Sequence, residues 1–203
     1  MTETALRTRP LPPEAHTGRP WRIHEIAPDF RLEDVWALPT PGGPDDLSRL
    51  VEQLAAGGDE RDFPLPYRIL LAIRWRLGDL FGLDDESTGV GDRVASLRDR
   101  LPDDLRGTTG PGFEKVPFEP VYLTEDEYVA EVANSTVHAL LHLGWVEDAS
   151  VRGGHRAQMA VLVKPNGWFG EAYMAFIKPF RHLVVYPALL RTIGRQWARQ
   201  VSA

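Results

Sequence analysis

Between residues 118 and 164 the chain alternates apolar and polar positions in short runs. In the stretch 135–146 the odd positions Val137, Ala139, Leu141, Leu143 and Trp145 are all apolar, while Thr136, His138, Leu140 and His142 form a mixed set. Period two is the signature of a strand, in which successive side chains point to opposite faces. Phe118–Leu123, Tyr128–Ala133 and Arg156–Lys164 read the same way, with Met159, Val161 and Val163 forming the apolar set of the last. Turn-like residues join these runs: Thr124-Glu125-Asp126 first, then Glu147-Asp148-Ala149 running to Gly153-Gly154. Short sequential connections favour antiparallel pairing. A sheet with one apolar face and one mixed face is expected, the apolar face buried and the mixed face turned to solvent.

The period lengthens elsewhere. Residues 30–38 alternate as a first strand and are broken by Pro39, Pro41, Gly42, Gly43 and Pro44. Asp45 or Asp46 can then cap a helix carrying Leu47, Leu50, Val51 and Leu54, which Gly57-Gly58 ends. A second helix is expected over residues 67–81, apolar around most of its circumference, so largely buried. Residues 84–115 are glycine-rich and irregular, with a short helix expected around 93–100. From Trp168 to Ser202 apolar side chains recur at steps of three and four, among them Tyr173, Phe176, Ile177, Phe180 and Leu190, and Pro179 and Pro187 interrupt the run. This long element, with the helix over 67–81, is the natural cover for the apolar sheet face. The fold class is therefore α+β: a curved antiparallel sheet packed against a long C-terminal helix. Residues 1–20, rich in proline, threonine and arginine, read as a loose tail before one domain over residues 21–203.

Composition narrows the chemistry. The 203 residues include 29 acidic and 23 basic side chains, for a net charge of -6, so no nucleic-acid partner is expected. The absence of cysteine excludes disulfides, thiolate catalysis and cysteine-bound zinc. The first twenty residues lack the apolar core of a secretory leader, and no apolar run reaches the roughly 18 residues that span a bilayer. A cytoplasmic protein without a transmembrane segment is expected.

His138 and His142, four apart, would share one face of a helix and suit a metal there. On a strand they stand roughly 13 Å apart at about 3.3 Å per residue, and Ala139 replaces the glutamate of a zinc-helix motif. No metal and no cofactor is expected, and the two histidines are read as solvent-facing or interface residues. Parity puts Glu131 on the same outer face, away from any pocket. The glycines of 84–115 do not form a phosphate-binding loop, and no Ser/His/Asp set is recognisable, so no catalytic residues are assigned. Lys178, Arg181, His182, Arg191, Arg195 and Arg199 read as a solvated basic helix face.

The stretch 134–145, Asn-Ser-Thr-Val-His-Ala-Leu-Leu-His-Leu-Gly-Trp, followed by residues 173–187 and preceded by Arg74-Trp-Arg-Leu-Gly-Asp-Leu-Phe-Gly-Leu83, resembles the bacterial domain of unknown function 2867 family. More distantly the chain resembles the START and Bet v 1-like superfamily. That second resemblance implies a helix-grip fold with a hydrophobic cavity between a curved sheet and a long C-terminal helix, and it implies no single activity. On that basis the expected function is binding of a small hydrophobic or amphipathic ligand. Tyr128, Leu141, Trp145, Met159, Tyr173 and Phe176 are the expected lining, with the two tyrosines as polar anchors. A cyclase- or dehydratase-like enzyme of the same superfamily and a non-catalytic interaction protein are the alternatives.

Overall fold

The computed structural model describes residues 9–57, 90, 94–114, 116–133, 137–165, 182 and 186–201. Its centre is an open antiparallel sheet of five strands, β2 (Arg31–Ala37), β3 (Glu119–Leu123), β4 (Glu127–Ala133), β5 (Val137–Glu147) and β6 (His155–Pro165). A two-residue edge strand, β1 (Arg9–Pro10), extends it, in the spatial order β1-β2-β6-β5-β4-β3. The β5–β6 hairpin turns at Gly153 and Gly154, both at positive φ, which accounts for the glycine pair there. The expected strands and their antiparallel pairing are present, each within one or two residues of its expected ends.

Helix α3 (Leu47–Ala56) follows the proline-glycine break, with Asp46 at its N-cap and Gly57 ending it at positive φ. The Asp46 carboxylate does not reach into the helix; it accepts the Gly43 N–H at 2.8 Å and holds the preceding loop. Helix α4 (Tyr186–Val201) is the described part of the C-terminal element. Pro187 lies in the first described turn of this helix, where a missing N–H costs little. The helix expected over 67–81, and Tyr173, Phe176 and Pro179, lie outside the described residues.

The odd face of β5 behaves as expected. Leu143, Trp145 and Met159 pack with Trp36, Leu47 and Leu50, and α4 adds Tyr186, Leu190, Ile193 and Trp197. The even face does not. It is covered by the chain that precedes β2, with α1 (Glu14–Thr17) and α2 (Ile23–Ile26), and by the segment around the 3-10 helix Leu97–Arg100. Trp21, Ile23, Ile26, Phe30, Leu97 and Leu101 lie there against Val129, Leu140 and Leu162, all buried. The expectation of one solvated face is thus corrected. Leu140, apolar among polar neighbours, was its trace in the sequence.

The tail expected over residues 1–20 is docked from residue 9 onward. Arg9 and Pro10 pair with Ala37 and Trp36, the Leu11 N–H donates to Val35 O at 2.8 Å, and His16 is 1% exposed. The segment has few apolar side chains; backbone pairing, one buried imidazole and Leu11 packed against the core attach it, which composition does not reveal.

Gly144 shows how tightly the cover fits. The Trp21 ring lies on its backbone, and a Cβ at residue 144 would stand 2.7 Å from Trp21 Cζ2. Gly144→Ala is expected to cost about 1–3 kcal/mol, the range for overpacking a filled core. Chemical denaturation measures it, and a loss below about 0.5 kcal/mol would show that Trp21 moves freely.

Candidate functional site

Cross-strand register builds a site on the α4 face row by row. One row runs Ala130–Leu141–Val161–Asp34 across β4, β5, β6 and β2; the next runs Tyr128–Leu143–Met159–Trp36. Asp34 reaches this face because the β2–β6 register shifts between Leu32 and Asp34. The extra residue of that bulge reverses the parity of everything after it. Asp34 is 4% exposed, and its carboxylate accepts the Tyr186 hydroxyl at 2.9 Å and bonds His182 Nε2. His182 retains 31% side-chain exposure, so one end of this group meets solvent. Trp36 packs against both rings, its centroid 5.7 Å from His182 and 5.2 Å from Tyr186. Its buried indole N–H finds no acceptor among the described residues. Beside Asp34 the floor is apolar and incompletely covered: Ala139, Leu141 and Val161 are only partly buried although they sit on the two central strands.

The opposite face carries a second polar arrangement, built by a repeat in the β4–β5 ladder. Glu127 and Glu131 are four apart on β4, and His138 and His142 four apart on β5. Antiparallel register makes two equivalent diagonals of them: His142 Nε2 to Glu127 Oε2 at 3.2 Å, and His138 Nε2 to Glu131 Oε2 at 2.7 Å. All four side chains are at most 2% exposed. Each carboxylate also grips the start of a short helix lying on the sheet. Glu127 accepts the Arg22 N–H at 2.7 Å, at the entry to α2, and the Tyr122 hydroxyl at 2.8 Å. Glu131 accepts the Ser96 hydroxyl at 2.5 Å and the Leu97 N–H at 3.0 Å, opening the 3-10 helix.

Burial alone would raise both carboxyl pKa values. The His142 bond and charge, the Arg22 amide and the Tyr122 hydroxyl outweigh it at Glu127, and His138, Ser96 and the Leu97 amide outweigh it at Glu131. Both are held below the ordinary glutamate value and stay ionised. The Tyr122 phenol, buried against Glu127, is pushed far up and stays protonated. His138 and His142 are therefore not solvent-facing. Glu131, though on the face that parity assigned, is a buried anchor. Among the described residues no group of three or more His, Asp or Glu side chains is arranged to hold a metal ion.

A family model described as "Protein of unknown function (DUF2867)" matches residues 26–188, well over half of the chain. The chain belongs to that family. The DUF2867 match spans Asp34, both His–Glu diagonals, His182 and Tyr186; His16 and His24 precede it. No curated protein and no solved structure matches the chain. Among the described residues no helix is long and apolar enough to cross a membrane.

Within this DUF2867 fold, four of the residues singled out from sequence share the α4 face. Leu141 and Met159 lie in the two rows beside Asp34 and Trp36. Tyr128 is fully buried, and its hydroxyl donates to Pro111 O at 2.8 Å. Trp145 donates from Nε1 to Gly43 O at 2.8 Å and packs on Trp197. Tyr173 and Phe176 lie outside the described residues. His182, read as part of a solvated basic face, is instead tied to Asp34, whereas Arg191, Arg195 and Arg199 are exposed. Sequence reasoning missed Asp34 and Glu127. Paired i, i+4 spacings, Glu–Glu on one strand and His–His on the next, were the signal for the two diagonals.

Proposed function

We propose that this protein binds a small amphipathic molecule on the α4 face of the sheet, in the manner of helix-grip folds. The observation that carries the reading is the buried indole N–H of Trp36, without an acceptor among the described residues. It stands beside the Asp34–His182–Tyr186 group and next to the half-covered floor of Ala139, Leu141 and Val161. Ligand sites combine an apolar lining with a few placed polar groups. A buried donor without a partner costs about 1–3 kcal/mol, which a ligand acceptor recovers. The apolar body would lie on Leu141 and Val161, and the polar end would meet Trp36 and His182.

Native mass spectrometry of the protein from its natural source, with titration by anilinonaphthalene sulfonate, tests this. A retained small molecule or saturable 1:1 dye binding is expected. Trp36→Phe keeps the ring and removes the N–H, and should weaken binding about fivefold, the worth of one hydrogen bond. Absence of both adduct and dye binding would refute the reading.

A second reading, a dehydratase- or cyclase-like enzyme, draws on the contact between Asp34 and the partly exposed His182. A buried carboxylate that orients an imidazole is the usual support for a general base. His182→Asn would then preserve dye binding while abolishing conversion of the retained molecule.

A further inference from the structure

The face away from α4 holds a file of ionisable side chains that the proposed ligand site does not use. From the half-buried His24 it runs inward through His16 and His142 to Glu127. His24 Nε2 stands 3.2 Å from His16 Nδ1, His16 Nε2 stands 3.3 Å from His142 Nδ1, and His142 Nε2 stands 3.2 Å from Glu127 Oε2. The file ties α2, α1, β5 and β4 together. His16 is the one buried side chain of α1, so it is the anchor of that helix.

The chemistry of the inner end orients every proton. The Glu127 carboxylate only accepts, so the hydrogen it shares with His142 sits on Nε2. With one hydrogen per imidazole, His142 Nδ1 is then an acceptor and His16 donates from Nε2. His16 Nδ1 accepts in turn, and His24 donates from Nε2. One extra proton can enter at His24 and shift hydrogens inward until the charge rests on His142 against Glu127. Each nitrogen–nitrogen contact still holds one hydrogen. A second proton finds no such place. It would put two hydrogens into a contact of 3.2 or 3.3 Å and set two imidazolium rings side by side.

We infer that residues 9–17 are an acid-released strap, held on the sheet by the His24–His16–His142–Glu127 file at neutral pH and let go when that file takes up a second proton. Among the described residues, the groups facing His16 offer no compensating anion. Against it stand Trp21 and His24 from α2 and its entry, and His142 from β5, while Arg19 lies over Trp21. Glu127 and Tyr122 are one imidazole further in. Glu14 and Glu25 are exposed, the latter paired with Arg22, which also pairs with Asp104. Burial first, then the charges of His142 and His24, hold the His16 pKa down to about 3, and His24 is lowered by the same kinds of cause. The sign follows. A histidine whose folded pKa lies below its unfolded value near 6.5 contributes stability that is complete above pH 6.5 and is lost as pH falls. The depressed Glu127 pKa adds stability in the same sense, lost only below the ordinary carboxylate range. Helix α2 keeps its Arg22 amide bond to Glu127 and its buried Ile23 and Ile26, so the strap leaves before α2 does.

Histidine side-chain and backbone NMR on the full chain, from pH 7.5 to 4.5, tests the strap. At pH 7.5 His16, His24 and His142 should all be Nε2–H tautomers. On acidification the amides of residues 9–17 should become mobile while those of β4, β5 and β6 keep their native shifts. His24→Asn removes the outermost charge and should move release about one unit lower in pH. An Nδ1–H tautomer at His16 or His142, loss of strap and sheet in one transition, a strap still ordered at pH 4.5, or an unshifted midpoint in His24→Asn would each overturn the inference.

Discussion

A chain that stops before Tyr186 is expected to be unfolded or aggregated. Helix α4 buries Tyr186, Leu190, Ile193 and Trp197 against the sheet and α3. At about 1.5–3 kcal/mol for each large apolar side chain, their burial is worth about 6–12 kcal/mol, comparable to the 5–15 kcal/mol that holds a whole domain together. The specific contacts add to this. Trp197 donates from Nε1 to Pro41 O at 2.8 Å, and the Arg49 guanidinium lies 5.1 Å from the Trp197 ring centre. A Cβ on Gly194 would stand 2.6 Å from Pro39, so the helix is seated directly on the loop after β2. Removing it would also expose Trp145, Leu143 and Met159. Circular dichroism and size exclusion of the shortened chain give the result. A folded monomer with a dispersed amide spectrum would show that α4 is a peripheral element and not the cover of the sheet.

The second large effect is expected at Glu127. Glu127→Ala should destabilise the protein by about 3–5 kcal/mol, the range for breaking a buried ionic pair and leaving one partner behind. The loss goes beyond one bond, because the carboxylate serves the Tyr122 hydroxyl, the His142 imidazole and the Arg22 amide together. All three would be left in a site closed to water. Glu127→Gln keeps the shape and one acceptor oxygen and should lose less. Thermal and urea denaturation at pH 7.5 compare the two. If both variants fall within about 1 kcal/mol of the parent chain, water reaches the site and the burial argument fails.

Much of the architecture was legible in the sequence because it depends on local periodicity. Period-two alternation in 118–164 located four strands, and proline and glycine marked the ends of α3. The apolar parity set ending at Trp145 identified the face that α4 covers. One local assumption fails: equating polarity with exposure puts His138, His142 and Glu131 on an outer face, whereas all three are buried. Asp34 stays hidden for another reason, because the β2 bulge that turns it to the α4 face leaves no mark in the spacing along the chain.

What the sequence determined alone was which residues form strands and which side of β5 is fully apolar, since both follow from spacing along one chain. What only the tertiary structure decided was the pairing of Glu127 with His142 and of Glu131 with His138, and the seating of residues 9–30 over them. A charged side chain can be buried when its partner arrives from another strand and its remaining acceptors are filled by amides of a distant segment. His16 and Glu127 are more than a hundred residues apart, and no pattern along the chain records that the first covers the second.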